Sequence, residues 1–401
     1  MAVRTRGLGL AVALVGGLAL VAPAASGAAG RAQFVLSPEG NHLWAYDAAT
    51  NQAQLVVRAV NGGDPGVAPP RGSERRDING QVCVAPDNRH VITGEDTVLG
   101  GGSSHDPRIA GWGWHRITGS RLGQIRIKQE GKLAPEAGLG PGYTGDPDNF
   151  GCGFLGPDRL VTTAIGDTYP GQPANGQLFL WFGPFDRGYR KLTQKEGGSF
   201  FVGRVPHCEI DRTLATAGGV TVDRNGDVYV TANRPDDDGD AGSVWRYRGR
   251  WPRTARECTP EYVAKNIAKE RVIPSIAAPA DARATTPSSV AISRRGTLYV
   301  SSVFTGIVSE FTKTGTWLRD VYPLSPVSPI VPPVGRTPYG LAVADDDSLW
   351  IANLGIVVAA PGPGQGSVIR VRFTNGEPTP MGETVKSGLN FPDGLGVYTP
   401  R

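Results

Sequence analysis

Apolar residues along this chain occur in short runs that alternate with polar residues, and tight polar turns separate the runs. One phrase recurs, in which a turn, an apolar strand, a polar turn and a second apolar strand follow one another. Its copies are INGQVCVAPDNRHVITGED from Ile78, DNFGCGFLGPDRLVTTAIGD from Asp148, AGGVTVDRNGDVYVTAN from Ala217, TPSSVAISRRGTLYVSS from Thr286, TPYGLAVADDDSLWIAN from Thr337 and FPDGLGVY from Phe391. Pairs of apolar runs around a turn are typical of β-hairpins, so we expect an all-β fold.

The copies are regularly spaced. Aligned on the residue two positions before the apolar strand, they begin at Asn79, Asn149, Ala217, Pro287, Pro338 and Pro392, and successive copies lie 51 to 70 residues apart. Each interval has room for two further strands, which we place at 176–185, 242–251, 306–315 and 366–376. Repeats of about 50 residues with four short strands are typical of β-propeller blades, which bury their faces by stacking around an axis.

The last copy contains only its first strand before the chain ends at Arg401. Three strand-like runs with no turn phrase ahead of them, at 32–37, 41–51 and 52–60, precede the first copy. We therefore predict a six-bladed propeller in which residues 391–399 form the inner strand of a blade that residues 32–60 complete. Pairing the two chain ends in one blade closes the ring and removes exposed strand edges.

The first 28 residues are predicted to be a secretory signal peptide. Arg4 and Arg6 precede an apolar run at 8–21, and small residues follow up to a cleavage point after Ala28. The apolar run is shorter than the about 20 residues of a membrane-spanning helix, although an uncleaved anchor remains the alternative interpretation. We expect residues 29–401 to form a single secreted, monomeric propeller domain that does not associate with the membrane after cleavage, with a helical excursion at about 257–285.

The charge and the cysteines refine this picture. The formal net charge is +4, and removal of Arg4 and Arg6 leaves about +2, which does not favour a nucleic-acid partner. The four cysteines are Cys83, Cys152, Cys208 and Cys258. In an oxidising compartment they allow two disulfides in three connectivities, with buried free thiols as the alternative. Pairing Cys83 with Cys152, and Cys208 with Cys258, would link adjacent blades.

The phrase Pro-x-Gly-apolar-Ala-apolar, followed by a polar turn and LWIAN or VYVTAN, resembles NHL repeats. It is also similar to the six-bladed lactonase group that includes the SMP-30/gluconolactonases and paraoxonase-like enzymes. The resemblance covers about residues 32–401 as architecture. It implies a calcium or similar divalent ion at the mouth of the central tunnel, held by one Glu, two Asn and one Asp at the starts of inner strands.

Three residues of this chain match those ligand positions: Asn79 in INGQV, Asn149 in DNFGC and Asp393 in FPDGL. The resemblance therefore implies a calcium site formed by three neighbouring blades. The acidic ligand of the opening strand has no clear match, because Glu39 in SPEGN lies in a turn-like context. Asn and Asp before Gly are also ordinary turn residues, which is the alternative interpretation of these side chains.

The ends of the second strands should lie on the same face as the starts of the inner strands. This places Glu95 and Asp96 there as candidate acid–base residues, and Asp167, Asn233 and Asn353 as candidate substrate-binding residues. A bound divalent ion could polarise a lactone carbonyl or a water molecule. The favoured function is a metal-dependent hydrolase of lactone or ester type that acts on a small molecule.

Other features allow different functions. A non-catalytic propeller that binds a protein or an extracellular glycan is the alternative, because one fold hosts many functions. The acidic stretch 233–242 could wrap a cation but is more simply a solvated loop. His105 and His115 flank the insertion SHDPRIAGWGWH and could extend to the axis, although a satisfied or exposed His is the simpler interpretation. No His occupies the repeated mouth position that a zinc-dependent lyase would need. Residues 244–256, VWRYRGRWPRTAR, interleave aromatic and basic residues, which suits sugar or polyanion binding or a solvent-facing strand.

Overall fold

The hairpin turns between first and second strands repeat one local conformation. Asn88, Gly226, Gly296 and Asp347 each have a positive φ, between 56° and 83°. Each donates its backbone N–H to the carbonyl three residues earlier, at 2.8 to 3.0 Å. Gly, Asn and Asp tolerate this left-handed conformation better than other residues, so the polar turn of the repeat defines where each inner hairpin reverses.

The computed structural model describes residues 33–40, 42–57, 74–99, 111–121, 124–135, 149–164, 176–185, 189–191, 201–214, 217–232, 242–274, 287–303, 305–323, 337–357, 360–361 and 364–400. They belong to one compact unit that spans Ala32–Arg401. The predicted signal peptide, residues 1–28, lies outside the described residues. No helix of the described part is long and apolar enough to cross a membrane.

The first part of the chain contains seven strands: β1 Phe34–Glu39, β2 His42–Asp47, β3 Ala53–Val57, β4 Glu74–Val84, β5 His90–Leu99, β6 Gly111–Arg121 and β7 Gln124–Pro135. The middle part contains β8 Asn149–Gly156, β9 Arg159–Ala164, β10 Gly176–Phe182, β11 Tyr189–Lys191, β12 Phe201–Val205, β13 His207–Leu214, β14 Ala217–Val222, β15 Val228–Ala232, β16 Ser243–Gly249, α1 Pro260–Asn266 and β17 Ile267–Ile273. The last part contains β18 Pro287–Ile292, β19 Leu298–Ser302, β20 Ile307–Phe311, β21 Trp317–Tyr322, β22 Pro338–Val343, β23 Leu349–Asn353, β24 Ile356–Val357, β25 Ala360–Pro361, β26 Gly366–Val371, β27 Phe373–Thr374, β28 Glu377–Pro378, β29 Glu383–Leu389 and β30 Gly396–Tyr398.

These strands form six sheets arranged as a six-bladed β-propeller, as predicted. From the axis outward, blade 1 is β30-β1-β2-β3, blade 2 is β4-β5-β6-β7 with β12 and β11 added, and blade 3 is β8-β9-β10-β13. Blade 4 is β14-β15-β16-β17, blade 5 is β18-β19-β20-β21 and blade 6 is β22-β23-β26-β29. The pairs β24-β25 and β27-β28 are small separate ribbons.

Both chain ends contribute to blade 1, which confirms the predicted closure. β30 pairs antiparallel with β1, with Phe34 opposite Tyr398 and Leu36 opposite Gly396. Leu395 and Tyr398 are buried, so the C-terminal strand is part of the core. The ring is therefore closed by main-chain hydrogen bonds between segments more than 350 residues apart in the sequence.

The apolar core lies between blades. Among the described residues, six buried clusters correspond to the six blade interfaces, and each contains side chains from two neighbouring blades. For example, Val35 and Tyr46 of blade 1 pack with Trp350 and Val368 of blade 6. Burial of apolar surface at every interface explains why no blade would be stable alone.

Two disulfides link neighbouring blades, and both were predicted. Cys83 of β4 is bonded to Cys152 of β8, across the interface of blades 2 and 3. Cys208 of β13 is bonded to Cys258, which precedes α1 in blade 4. The bonds therefore reinforce two consecutive interfaces of the ring.

The structure differs from the helical excursion predicted at about 257–285, of which residues 275–285 lie outside the described residues. Helix α1 covers only Pro260–Asn266, with Thr259 as its N-cap, and Ile267–Ile273 then forms the outer strand of blade 4. The helix is thus an insertion between the third and fourth strands of one blade. A second insertion, between the third and fourth strands of blade 3, carries β12 to the outer edge of blade 2, where it pairs in parallel with β7.

Candidate functional site at the tunnel mouth

The entrance of each inner hairpin carries a β-bulge. Register shifts follow Asn79, Asn149, Ala217, Pro287 and Pro338, which are the residues that align the sequence repeats. They pair with Gly94, Ala164, Ala232, Ser302 and Asn353 at the ends of the second strands. Bulges redirect side chains and often lie beside functional sites, so one face of the ring is built to present the residues of these positions around the axis.

Glycines next to these positions bring the inner strands into direct contact. A Cβ on Gly394 would overlap the Gly80 carbonyl oxygen, and a Cβ on Gly340 would lie 2.7 Å from the Cα of Gly394. Asp393 and Asn79 each precede one of the touching glycines, Gly394 and Gly80. The structure therefore places these two predicted ligands on adjacent strand entrances at the mouth.

The structure describes the side chains of two of the three predicted metal ligands. Asn79 and Asp393 are half-buried. Asn149 occupies the equivalent position on β8, but its side chain lies outside the described residues. The blades that carry them, 2, 3 and 1, are neighbours as predicted, while convergence of their oxygens on one point stays a prediction.

Of the predicted catalytic and substrate-binding residues, the structure describes the side chain of Asn353 only. Glu95 pairs with Ile78 and Asp96 with Asp77, on a part of the β4–β5 hairpin that extends beyond the entrance; their side chains lie outside the described residues. Asp167 and Asn233 also lie outside them, as does most of the acidic stretch 233–242. Asn353 is 1% exposed at the end of β23, and its Nδ2 donates to Ser367 Oγ at 3.2 Å. Within the described part of the chain, its Oδ1 is buried and accepts no hydrogen bond.

Hydroxyl side chains of the second strands hold the mouth together. Thr163, Thr231 and Ser301 donate to main-chain oxygens of the next blade, at Gly218 (2.6 Å), Ser288 (3.1 Å) and Tyr339 (2.8 Å). Thr163 and Ser301 also accept a main-chain N–H from the inner strand of their own blade. Each bond satisfies a buried main-chain group at an irregular entrance, where the ladder is interrupted by the bulge.

Gln81 of β4 extends across the interior below the mouth. Its Oε1 accepts from the backbone N–H of Val220 at 3.0 Å and of Cys152 at 3.3 Å, and its Nε2 donates to the Val220 carbonyl at 2.8 Å. These partners belong to β14 and β8, so one side chain connects the inner strands of three blades. Further along the axis, Val222, Ile292 and other mainly apolar residues from all six inner strands line a cavity of about 360 Å³. Gln81 therefore marks the boundary between the polar mouth and the apolar interior.

Replacing Gln81 with leucine is expected to lower the free energy of unfolding by roughly 3 kcal/mol, because it leaves two buried N–H groups and one carbonyl without partners, each costing about 1–3 kcal/mol. Urea unfolding monitored by tryptophan fluorescence would measure the change. Gln124→Leu, at an exposed position of β7, is the matched control and should change stability by less than about 0.5 kcal/mol. Equal stability of the two variants would show that the bridge contributes nothing.

Glu39 is a residue that the sequence interpretation missed. It does not lie in a turn but ends β1 at the mouth side of blade 1, where it is 5% exposed. Burial raises the pKa of its carboxyl to about 7, while the hydrogen bond from the Tyr46 hydroxyl and the charge of Lys386 lower it. The alternation of apolar and polar residues in QFVLSPE predicts a strand that includes Glu39, whereas the flanking Pro38 and Gly40 favour a turn.

Two described histidines of blade 2 have partners away from the mouth. His90 begins β5, where its Nδ1 lies 2.6 Å from Asp87 Oδ2 and its ring stacks on Trp114. His115 does not extend to the axis but is buried on the third strand of blade 2, where its Nε2 lies 2.8 Å from Thr93 Oγ1. His105 lies outside the described residues. Among the described residues, no group of three or more His, Cys, Asp and Glu side chains is placed to hold a metal ion.

Comparison with known proteins gives remote likenesses. No known protein family and no curated protein matches the sequence. Among solved structures, a luciferin-regenerating enzyme matches with a TM-score of 0.48 and 11% identity over 88% of both chains. The periplasmic gluconolactonase of Pseudomonas aeruginosa matches with a TM-score of 0.46 and 14% identity, over 92% of this chain and 100% of that one. The virginiamycin B lyase of Staphylococcus aureus matches with a TM-score of 0.39 and 12% identity, over 87% and 88% of the two chains. Gluconolactonases are thus among the structural neighbours, and likenesses at this level assign no activity to the chain.

Proposed function

We propose that this protein is a secreted, metal-dependent hydrolase of lactone or ester type, whose site is the mouth of the central tunnel. The observation that carries the proposal is the contact between Gly394 and Gly80, which sets Asp393 beside Asn79 at the entrance of adjacent inner strands. Asn149 occupies the same register position on the next blade. Three oxygen-bearing side chains therefore start from neighbouring points on one rim.

The donor set suits a hard divalent cation. Calcium takes about six to eight oxygen ligands from carboxylates, amides, carbonyls and water. Asp393 would supply a carboxylate oxygen, and Asn79 and Asn149 amide oxygens. The buried Oδ1 of Asn353, which accepts no hydrogen bond within the described residues, supplies a further oxygen at this face that could bind a water ligand or a substrate hydroxyl.

When bound, such an ion polarises a carbonyl and lowers the pKa of a bound water. Glu95 or Asp96, on the extended β4–β5 hairpin, would remove a proton from the attacking water and return it to the leaving oxygen. Asp167, Asn233 and Asn353 would orient a small polar substrate. Gln81 bridges the interior beneath the mouth, so the substrate would enter and leave by the same opening.

The test is metal analysis of the purified protein, together with hydrolysis of δ-lactones and aryl esters with and without a chelator. We expect bound calcium, activity that the chelator removes and calcium restores, and loss of both calcium and activity in Asp393→Ala and Asn79→Ala. Asp158→Asn, an exposed acid at the opposite end of the propeller, is the control and should retain both. A metal-free wild-type protein, or Asp393→Ala with unchanged calcium content, would overturn the proposal.

A binding propeller without catalysis is the second candidate. It is favoured by one observation, that the buried Oδ1 of Asn353 at this face accepts no hydrogen bond within the described residues and could bind a ligand hydroxyl without any chemical step. Its partner would be an extracellular glycan or protein at the same face. Calcium bound at the mouth, with no hydrolysis of any lactone or ester and no effect of Glu95→Gln or Asp96→Asn, would select this function.

A further inference from the structure

A basic cleft of about 740 Å³ lies at the end of the propeller opposite the mouth. The hairpin turns of blades 3 and 4 form one side, and the insertion that follows β16 forms the other. We call it the arginine cleft, because Arg159, Arg224, Arg250 and Arg253 all line it. Two of them, Arg250 and Arg253, come from the aromatic and basic stretch 244–256.

The described residues do not balance the positive charge of the arginine cleft. Glu257 is the only acidic residue among the described residues that line it, and its Oε2 accepts the backbone N–H of Arg253 at 2.8 Å. Arg159 donates to the Pro252 carbonyl at 3.5 Å. Throughout the described residues, the side chains of Arg224, Arg250 and Arg253 form no ion pair or hydrogen bond with the protein, whereas Arg246, Arg319 and Arg370 elsewhere each pair with an acid. Guanidinium groups gathered without partners repel each other and favour an anion between them.

The walls of the arginine cleft are held rigidly. Trp251 is 7% exposed, and its Nε1 donates to the Gly226 carbonyl at 3.0 Å, which fixes the insertion against the blade 4 turn. The backbone N–H of Arg250 donates to Asn266 O at 3.0 Å. The Cys208–Cys258 disulfide ties the same insertion to blade 3. Binding would therefore pay little entropy for ordering the main chain around the ligand.

We propose that the arginine cleft binds a small polyanion that carries two or more phosphate or sulfate groups on a ring scaffold. Guanidinium forks match such tetrahedral oxyanions through paired N–H donors. The volume lies in the range of about 300–1,000 Å³ that ligand sites occupy, well above what one inorganic anion fills. Tyr262 lines the cleft beside the arginines and offers an aromatic surface to the scaffold. Phosphorylated metabolites and segments of sulfated glycans share this chemistry.

Isothermal titration with myo-inositol hexakisphosphate and with a heparin-derived tetrasaccharide tests the proposal and separates the two sources. Wild-type protein should bind at least one of them in a one-to-one complex that weakens as salt increases. The triple variant Arg224→Ala, Arg250→Ala, Arg253→Ala should weaken binding by at least about tenfold. The control variant Arg89→Ala, Arg116→Ala, Arg126→Ala removes three exposed arginines of blade 2 and lowers the net charge equally.

The control triple variant should bind within about twofold of wild type, as should Asp393→Ala, because the mouth is at the other end of the ring. Thermal unfolding of each variant would verify that the fold is intact. Absence of binding by wild-type protein, or equal weakening in the two triple variants, would overturn the proposal. Preference for the tetrasaccharide would identify a sulfated glycan, and preference for the inositol phosphate a phosphorylated small molecule.

Discussion

Replacing Gly394 with alanine is expected to destabilise the propeller by roughly 3 kcal/mol or more, among the largest effects of any single methyl group in the chain. The added Cβ would overlap the Gly80 carbonyl oxygen of the neighbouring inner strand. That oxygen belongs to main chain, so it cannot rotate away as a flexible side chain would. Relief requires β30 to move from β4, which opens the ring at the blade that joins the two chain ends.

Two other glycines provide matched controls. A Cβ on Gly119 or Gly156 would meet nothing within 4 Å, and neither residue has a positive φ. Gly119→Ala and Gly156→Ala should therefore leave the free energy of unfolding within about 0.5 kcal/mol of wild type, or raise it slightly through the unfolded state. Urea unfolding of the three variants measures the difference. If Gly394→Ala were as stable as the controls, close contact of the inner strands at the mouth would be refuted.

The stability of the protein is expected to fall by roughly 3 kcal/mol between pH 4.5 and pH 7 because of Glu39 alone. Burial raises the pKa of its carboxyl from 4.5 to about 7. Within this window the unfolded chain has lost the proton that the folded protein keeps, so unfolding releases a proton and becomes easier as the pH rises. The slope is about 1.4 kcal/mol per pH unit. Below the window both states are protonated, and above it both are ionised, so this contribution becomes constant.

Glu39→Gln tests this linkage, because the amide cannot ionise but can still accept the Tyr46 hydroxyl hydrogen bond. The difference in free energy of unfolding between variant and wild type should grow in favour of the variant from pH 4.5 to pH 7, and then remain level. Tyr46→Phe removes a hydrogen bond that lowers the pKa of Glu39, so the pKa of Glu39 should be higher in this variant. The free energy of unfolding of Tyr46→Phe should therefore keep falling to a higher pH than that of the wild type. Parallel pH profiles for wild type and Glu39→Gln would contradict the assignment.

The fold was largely predictable because equivalent positions of the sequence repeat occupy equivalent positions in the blades. The residues that align the sequence copies, such as Asn149 and Ala217, occupy equivalent bulged positions in the sheets. The incomplete last copy also predicted the closing blade, since a lone inner strand needs partners that only the N-terminal strands could supply. Both disulfides are pairings that the sequence allowed, because the cysteines of each pair were placed on adjacent blades.

Three features could not be predicted from the alternation of apolar and polar residues, because they depend on contacts between distant parts of the chain or on weak alternation. Gln81 occupies a polar position that alternation reads as solvent-facing, yet it connects three inner strands. Helix α1 and strand β17 were merged into one excursion because alternation in IAKERVI is weak. The arginine cleft unites turns of two blades with a distant insertion, so only the three-dimensional arrangement gathers its charges.

The most direct test of the account is an anomalous diffraction map from crystals grown with calcium and then exchanged to a lanthanide, which occupies calcium sites. The proposal predicts one strong peak on the axis at the mouth, with oxygens of Asn79, Asn149 and Asp393 within about 2.3–2.6 Å of it. A mouth without a peak, or side chains of these three residues directed away from a common point, would contradict the claim that the ring presents a metal site at its hub.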